Sequence, residues 1–176
     1  MIWLWIVLGT LAGLIALVVI VGSLLPKGHV AIGASRYAKA PTKVWAAVTD
    51  LAALPSWWPQ VKTCERIGGS DAQPIWRETM KDGMVLELQT LESQPPLRLV
   101  RKIVNKLPFG GTWTFEFHDD SGGCRLTVTE NGEVYNPIFR FVSRFFMDQA
   151  GSIRSFLQHL GKRLGEEVEV RTEVRR

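Results

Sequence analysis

The chain has 176 residues, of which 46% are hydrophobic, and this length fits one ordinary domain with a single core but is short for two. Its 21 basic and 17 acidic residues give a mixed surface of net charge +4, which argues against a nucleic-acid-binding protein. The two cysteines, Cys64 and Cys124, fit neither a disulfide scaffold nor a metal knuckle, since no C-x-x-C or histidine cluster accompanies them, and we expect two free thiols.

The first strong local signal is an apolar run without any charge from Ile2 to Leu25. Its 24 residues would span about 36 Å as a helix, enough to cross the hydrocarbon core of a bilayer. Trp3 and Trp5 at one end suit the headgroup region, and Pro26 and Lys27 close the other end. We predict a single-pass transmembrane anchor over residues 1–27, with residues 2–25 in the membrane. A cleaved signal peptide is the alternative, but it would have a basic n-region and a shorter apolar run.

The charges that follow this run predict the side of the membrane. Lys27, Arg36, Lys39 and Lys43 all precede the first acidic residue, Asp50. Basic residues beside a membrane span stay preferentially in the cytoplasm. We therefore expect the domain on the cytoplasmic side of the inner (cytoplasmic) membrane.

The next segment predicts a strand and two short helices. Val30 to Tyr37 alternate loosely, as a strand does, and Pro41 suits the first turn of a helix. Val44, Trp45 and Val48 share one helical face. The stretch LPSWWPQV then forms a second short helix and a turn, and its adjacent tryptophans between two prolines need a core, a membrane or a ligand to cover them.

From Val61 to Tyr135 the apolar pattern changes to short runs of period two, separated by turn sequences rich in glycine and proline. This pattern predicts about six antiparallel strands. The run GTWTFEFHDD places Trp113, Phe115 and Phe117 on one face and polar side chains on the other. A sheet with one apolar face needs a covering element.

The covering element comes next in the chain. From Pro137 to about Gly165, apolar residues recur at helical spacing and charged residues take the other faces. We predict one long amphipathic helix, with a bend or break near Gly151. The charged tail, residues 167–176, is expected to be loosely held.

This order of elements, together with the motifs APTKVWAAVTDLAALPSWWPQV, WRETM, GGTWTFEF and GCRLTVTENGEV, resembles the START-like superfamily, also called SRPBCC or Bet v 1-like. The resemblance is to its bacterial polyketide cyclase/dehydrase and lipid-transport branch and covers roughly residues 30 to 165. It implies an α+β helix-grip fold for residues 28–166. In that fold a curved antiparallel sheet of about seven strands wraps a long C-terminal helix and leaves a hydrophobic cavity between them.

Strand parity and the helical pattern predict which side chains line such a cavity. For the tryptophan pair, the resemblance places the LPSWWPQV stretch near the cavity entrance, which implies that one ring packs as a wedge in the core and the other lines the cavity mouth. Ordinary core packing is the alternative for each residue singly. The predicted lining residues are Trp57, Trp58, Trp76, Met84, Leu86, Leu88, Trp113, Phe115, Phe117, Val128, Phe139, Phe146 and Met147.

Three charged residues share the inward parity: Glu78, Arg101 and Glu130. Pointing inward, they would form a compensated cluster that anchors the polar end of a ligand, or supply a carboxylate as a general base. The alternative, which we favour for each residue taken singly, is that a bulge or strand end turns it to solvent. The three histidines are far apart in sequence and no other catalytic motif occurs, so we expect no metal site and no cofactor.

Three functions from different classes fit this sequence. The preferred one is a membrane-anchored domain that binds or transports a lipid or another apolar small molecule, for which a cavity of roughly 300 Å³ or more is expected. The second is a cyclase- or hydratase-like enzyme that uses Glu130 or Glu78 with Arg101. The third is an accessory domain that binds a protein partner.

Overall fold

The first described element is an apolar helix, α1, which spans Ile2–Leu24. The computed structural model describes residues 2–175, so Met1 and Arg176, the outermost residues of the predicted anchor and tail, lie outside it. A helix of 23 residues is about 35 Å long, and α1 is long and apolar enough to cross a membrane. Its side chains contribute nothing to the hydrophobic core of the domain.

The remaining elements follow the predicted order of one strand, short helices, a run of strands and C-terminal helices. Pro41 and Pro55 occupy the first turns of two short helices, where the missing N–H of proline removes no helical hydrogen bond. The elements are β1 (Gly28–Tyr37), α2 (Pro41–Thr49), a 3₁₀ turn (Leu51–Ala53), α3 (Leu54–Trp57), β2 (Val61–Gly69), β3 (Pro74–Met80), β4 (Val85–Gln94), β5 (Arg98–Ile103), β6 (Phe109–Asp120), β7 (Gly123–Val134), α4 (Pro137–Phe146), α5 (Gly151–Arg163) and β8 (Arg171–Arg175).

The strands form one curved antiparallel sheet in the order β2-β3-β4-β5-β6-β7-β1-β8. Strands β2 to β7 follow one another as a meander, and β1 lies beside β7. This α+β architecture is the helix-grip fold that the sequence predicted. The sheet has eight strands, one more than the expected number of about seven.

The extra strand, β8, forms in the tail that we predicted to be loosely held. It pairs antiparallel with the outer edge of β1. Thr172 and Val174 alternate with charged residues along it, and Val174 packs against the core. The predicted domain, residues 28–166, therefore ends before the last strand of its sheet. The period-two pattern of this strand is short and mostly charged, which explains why it was missed.

The predicted long C-terminal helix is divided into α4 and α5 by the turn Met147–Ala150, beside the expected break at Gly151. Met147 has an extended backbone. The carboxylate of Asp148 accepts a hydrogen bond from the amide of Ala150 at 3.1 Å, and its carbonyl accepts one from Gly151. The two helices have different partners, since α5 packs on the sheet whereas α4 packs on α1.

The hydrophobic core lies between α5 and the sheet. Ile153 and Leu157 of α5 are completely buried, and burying a side chain of this size contributes about 1.5–3 kcal/mol. A side chain at Gly33 of β1 would clash with Ile153, so glycine lets α5 lie directly on the strand. The hydroxyl of Tyr37 donates a hydrogen bond to the carbonyl of Leu157 at 2.9 Å and fixes the position of α5 along β1.

Candidate functional site

A cavity of about 160 Å³ lies between the sheet and the start of α5. Most of its lining is apolar. It is smaller than the expected value of roughly 300 Å³, but a cavity of about 150 Å³ holds one benzene ring. Its walls are formed by Val48, Leu51, Leu54, Trp58, Gln60, Glu78, Met80, Met84, Leu86, Leu88, Leu99, Arg101, Ile103, Phe109, Gly110, Gly111, Thr112, Trp113, Phe115, Glu130, Ser152 and Phe156.

Six of the predicted lining residues are brought together around this cavity. Most lie on β4 and β6, where strand parity alone identified the inward face. They are Trp58, Met84, Leu86, Leu88, Trp113 and Phe115.

Seven predicted lining residues lie outside the cavity: Trp57, Trp76, Phe117, Val128, Phe139, Phe146 and Met147. Phe117 and Val128 are buried, but they belong to solidly packed core, where Trp45 of α2 contacts Phe117 at a centroid distance of 5.2 Å. Phe146 is 76% exposed and Met147 is 48% exposed. Phe146 ends α4 and Met147 follows it, and this helix packs on α1 and does not cover the sheet.

Trp76 and Phe139 are nearer to the cavity without lining it. Trp76 is half buried on β3, two residues before Glu78. Phe139 of α4 stacks against Phe109, which does line the cavity, at a centroid distance of 6.0 Å. The first turn of α4 therefore contacts the wall of the cavity from outside.

The tryptophan pair of the LPSWWPQV stretch divides its two rings between different surroundings. Trp58 is buried, lines the cavity and donates a hydrogen bond from its indole nitrogen to the hydroxyl of Ser155 at 3.2 Å. Trp57 packs against Phe156, and the guanidinium of Arg163 lies 5.4 Å from its ring centroid. This cation–π contact between Arg163 and the ring of Trp57 is attractive. Trp57 therefore helps to attach α3 to α5.

Phe156 of α5 is the centre of an aromatic cluster that closes the cavity. Its ring centroid lies 5.2 Å from that of Trp58, 5.6 Å from Phe115 and 6.1 Å from Trp113. The contacts with Trp58 and Trp113 are edge to face, which is a favourable geometry for aromatic rings. Sequence analysis placed this residue on the apolar face of the helix but did not predict its position in the cavity wall.

Glu78 and Arg101 form a buried ion pair in the cavity wall. The Nη1 atom of Arg101 donates a hydrogen bond to Oε1 of Glu78 at 2.7 Å. The side chain of Arg101 is only 7% exposed and that of Glu78 only 4%. The Nε and Nη2 atoms of Arg101 are buried and have no hydrogen-bond partner within residues 2–175. A buried guanidinium with free N–H groups is a costly arrangement in a protein interior.

Glu130 lies on the other side of the same inward face. Arg101 pairs with Trp113 across β5 and β6, and Trp113 pairs with Glu130 across β6 and β7. The Glu130 carboxylate is 3.8 Å from Nε2 of His29 and also lines the cavity. All three charged residues with inward parity are thus turned toward the cavity, whereas solvent was the favoured alternative for each one singly. They bring hydrogen-bonding groups to a wall that is otherwise apolar.

Sequence analysis missed the part of the cavity wall that comes from outside the long strands. Helix α2 contributes Val48, the 3₁₀ turn Leu51, α3 Leu54, and α5 Ser152. The spacing of Val48, Leu51 and Leu54 is helical, so a common buried face was visible in the sequence. Which interior that face would cover depends on tertiary packing.

The thiol of Cys64, which lies opposite Glu78 on β2, is expected to react slowly. Burial, with a smaller contribution from the Glu78 carboxylate, raises its pKa to about 12. Because the thiolate is the nucleophile, alkylation by iodoacetamide at pH 8 should be about 10³-fold slower than for a cysteine with an ordinary pKa near 8.5. Peptide mass spectrometry measures the rate, and a cysteine introduced at Ser121, in an exposed turn, is the reference. Equal rates at the two positions would contradict the prediction.

Comparison with solved structures supports the same fold. A conserved protein from Geobacillus kaustophilus superposes with a TM-score of 0.65 at 15% identity, covering 80% of this chain and 98% of that chain. TTHA0849 from Thermus thermophilus gives a TM-score of 0.65 at 20% identity, with coverage of 77% and 96%. Norcoclaurine synthase from Thalictrum flavum gives 0.63 at 13% identity, with coverage of 80% and 88%. At these identities the likeness shows the fold alone.

Comparison with protein families extends this result from fold to family. No curated protein sequence matches the chain. Residues 35–165, well over half of the chain, match the family described as polyketide cyclase/dehydrase and lipid transport. This match covers β2 to β7, the cavity and α5, and it agrees with the resemblance carried by the sequence motifs. The chain belongs to the polyketide cyclase/dehydrase and lipid-transport family.

Proposed function

We propose that this protein is a membrane-anchored domain that binds or transports an apolar small molecule or part of a lipid in the cavity beneath α5. The observation that carries this proposal is the mainly apolar cavity of about 160 Å³ inside the domain. This domain follows a helix that is long and apolar enough to cross a membrane. Apolar ligands concentrate in bilayers, so tethering shortens their path to the cavity. A soluble substrate would gain no such advantage.

The volume of the cavity limits what it takes without rearrangement. About 160 Å³ suits one ring or a short length of acyl chain. Met80 and Met84 are flexible lining side chains, and methionine adapts to ligands of different shape. A longer chain would enter by displacing these side chains.

The polar residues in the wall favour a ligand with one hydrogen-bonding end. Glu78 neutralises Arg101, so the pair presents dipoles and no net charge, while Glu130 supplies an acceptor on the other side. We propose that these three residues bind the polar end and that the six apolar residues predicted from sequence, Trp58, Met84, Leu86, Leu88, Trp113 and Phe115, bind the apolar body.

We further propose that α1 crosses the inner membrane once and leaves the domain in the cytoplasm. The support is the apolar length of α1 and the run of basic residues, Lys27, Arg36, Lys39 and Lys43, that follows it before any acidic residue. A potential partner protein would then be another component of the same membrane surface.

A second candidate function is cyclase- or hydratase-like catalysis. The observation that favours it is the Glu130 carboxylate at the cavity wall, 3.8 Å from His29, since a carboxylate beside an imidazole can accept and pass on a proton. Loss of turnover in Glu130→Gln with unchanged ligand binding would support catalysis. Equal effects on both would support a binding role.

Two methionines in the wall of the cavity make ligand binding directly measurable. We expect ethylbenzene, added to the full chain in lipid nanodiscs with ¹³C-labelled methionine methyl groups, to shift the NMR signals of Met80 and Met84 saturably. The ring current of a bound aromatic ring causes the shift. Met147 is outside the cavity and half exposed, so its signal reports ethylbenzene that merely dissolves in the lipid.

A variant that fills the cavity sharpens this experiment. Leu86→Phe adds volume to the lining, and we expect about tenfold weaker binding, equivalent to about 1.4 kcal/mol. Leu97→Phe makes the same change at a residue that is exposed and outside the cavity, and it should bind as the wild type does. Shifts that are equal at all three methionines, or unchanged in Leu86→Phe, would contradict binding in this cavity.

A further inference from the structure

The outward face of α4 is apolar and uncovered by the rest of the chain. Phe145 and Phe146 are 56% and 76% exposed, and Ile138 and Val142 on the same helix are also exposed. Phe141 stacks on Phe145 at a centroid distance of 4.9 Å, so the rings form a continuous surface. A group of large apolar side chains on a water-facing helix marks an interaction surface.

The buried face of α4 fixes the helix to the end of α1. Arg140 is buried, and its Nη1 atom donates to the carbonyls of Gly22 at 3.0 Å and Leu25 at 3.1 Å. Gly22 lies in the last turn of α1 and Leu25 follows the helix directly, so neither carbonyl has a helical donor. A side chain at Gly22 would clash with the carbonyl of Pro137, so the two helices touch at the backbone. Helix α4 therefore begins at the level where α1 would leave the hydrocarbon core.

The other end of α4 stays near the same level. Arg144, one turn after Arg140, lines a small cleft together with Leu25 and Lys27. The cleft is also lined by Arg140, which is bonded to backbone carbonyls, and by His29, and none of its lining residues is acidic. Asp148, in the turn that follows, is bonded to Arg154 at 2.6 Å. A basic strip next to an apolar helix face matches the anionic headgroups and acyl chains of a bilayer surface.

Helix α4 also connects this level to the cavity. Phe139, in its first turn, stacks on Phe109 of the cavity wall, and the turn after α4 leads within a few residues to Ser152, another lining residue. The part of the cavity wall at Phe109 is thus in contact with α4.

We infer that α4 is a second membrane contact, lying in the headgroup region of the leaflet from which α1 emerges, with Phe145, Phe146 and Met147 in the lipid. The partner is the bilayer itself. The basic side chains of Lys27 and Arg144 meet its phosphates, and the apolar face reaches the upper acyl chains. The contact holds this part of the cavity wall at the membrane surface, so an apolar ligand passes from lipid to protein without crossing bulk water. This inference rests on the proposed anchoring by α1.

Spin labels test the position of α4 in the full chain, reconstituted in vesicles of phosphatidylcholine and phosphatidylglycerol. Labels are attached in separate variants at Phe146→Cys, Met147→Cys, Leu14→Cys and Ser121→Cys, in a Cys64→Ser background. Cys124 is completely buried and does not compete for the label. Collision rates with oxygen, which concentrates in lipid, and with a water-soluble nickel complex report the depth of each label.

Each site has a distinct role in this experiment. Leu14 is an outward residue in the middle of α1 and tests the anchor. Ser121 is in the β6–β7 turn, at the opposite end of β7 from α4, and serves as the aqueous reference. We expect the labels at Phe146 and Met147 to collide with oxygen several-fold more, relative to nickel, than the label at Ser121. Phe146 and Met147 are both well exposed, so replacing either with cysteine removes no core packing.

The outcomes separate the inference from the proposed function. A lipid-exposed label at Leu14 with water-exposed labels at Phe146 and Met147 would overturn the inference and leave the anchor intact. A water-exposed label at Leu14 would overturn both. Spin–spin broadening at Phe146 that disappears on dilution with unlabelled protein would show that a second copy covers α4, and would also overturn the inference.

Discussion

Replacing Arg101 with methionine is expected to lower the free energy of unfolding of the domain by about 3–5 kcal/mol at pH 7. The change leaves the Glu78 carboxylate, 4% exposed, without the guanidinium that bonds it at 2.7 Å. An unpaired charge in this interior loses its favourable hydration free energy, and the surrounding apolar side chains offer no hydrogen bonds or opposite charge to compensate for the loss. Unfolding of the full chain by guanidinium chloride in detergent micelles, monitored by tryptophan fluorescence, measures this loss of stability.

Two further variants separate the ion pair from other causes of instability. Glu78→Leu combined with Arg101→Met removes both charges, and we expect its stability to lie within about 1 kcal/mol of the wild type or above it, because well-packed apolar residues often replace a buried pair at no loss. Lys102→Met changes the exposed neighbour on β5 and should alter stability by no more than about 0.5 kcal/mol. If Arg101→Met proved as stable as Lys102→Met, burial of Glu78 would not require the guanidinium of Arg101, and the prediction would be wrong.

This ion pair also bears on why a cavity lined by apolar residues keeps charges at all. A domain with an all-apolar cavity wall would be at least as stable. The Nε and Nη2 atoms of Arg101, which are buried without a hydrogen-bond partner among the described residues, destabilise the folded state further. Stability alone therefore does not account for the pair. The proposed role in orienting a ligand would account for it, and the double variant tests this proposal, since it should fold normally and lose preference for ligands with a hydrogen-bonding end.

The architecture was predictable because its main signals are local. The uncharged run of α1 needs no partner to be recognised, and the alternation in β6 identifies its inward face residue by residue. The same parity indicated the inward positions of Glu78, Arg101 and Glu130. Strand β8 was not predictable in this way, since its five residues are mostly charged and form a strand only because the edge of β1 is free to pair.

The errors at the cavity came from choices that tertiary packing makes. Phe146 and Met147 follow an amphipathic pattern that fits a cover for the sheet, but the turn at Asp148 gives that task to α5 alone. Phe117 has the same parity as Phe115, yet Trp45 covers it and leaves no space. Periodicity identifies a face, whereas the position of a void along that face depends on which side chains of other elements reach it.

Phe156→Ala is expected to have the second large effect on the domain, a loss of about 3–5 kcal/mol in the free energy of unfolding. The ring contacts Trp57, Trp58, Trp113 and Phe115, so its removal leaves a space that these rigid side chains cannot fill. The space would join the existing cavity. Naphthalene should then bind the variant more tightly than the wild type, as measured by the Met80 and Met84 methyl signals.

The same substitution at Phe145, which is exposed on α4, is the matched control and should change the stability of the domain by no more than about 0.5 kcal/mol. A small loss in Phe156→Ala, with no gain in naphthalene binding, would mean that neighbouring side chains collapse into the space. The cavity would then be too plastic for its size to select a ligand. A large loss with tighter binding would mean that Phe156 sets the upper limit on ligand size, because this ring separates the cavity from the core beneath α5.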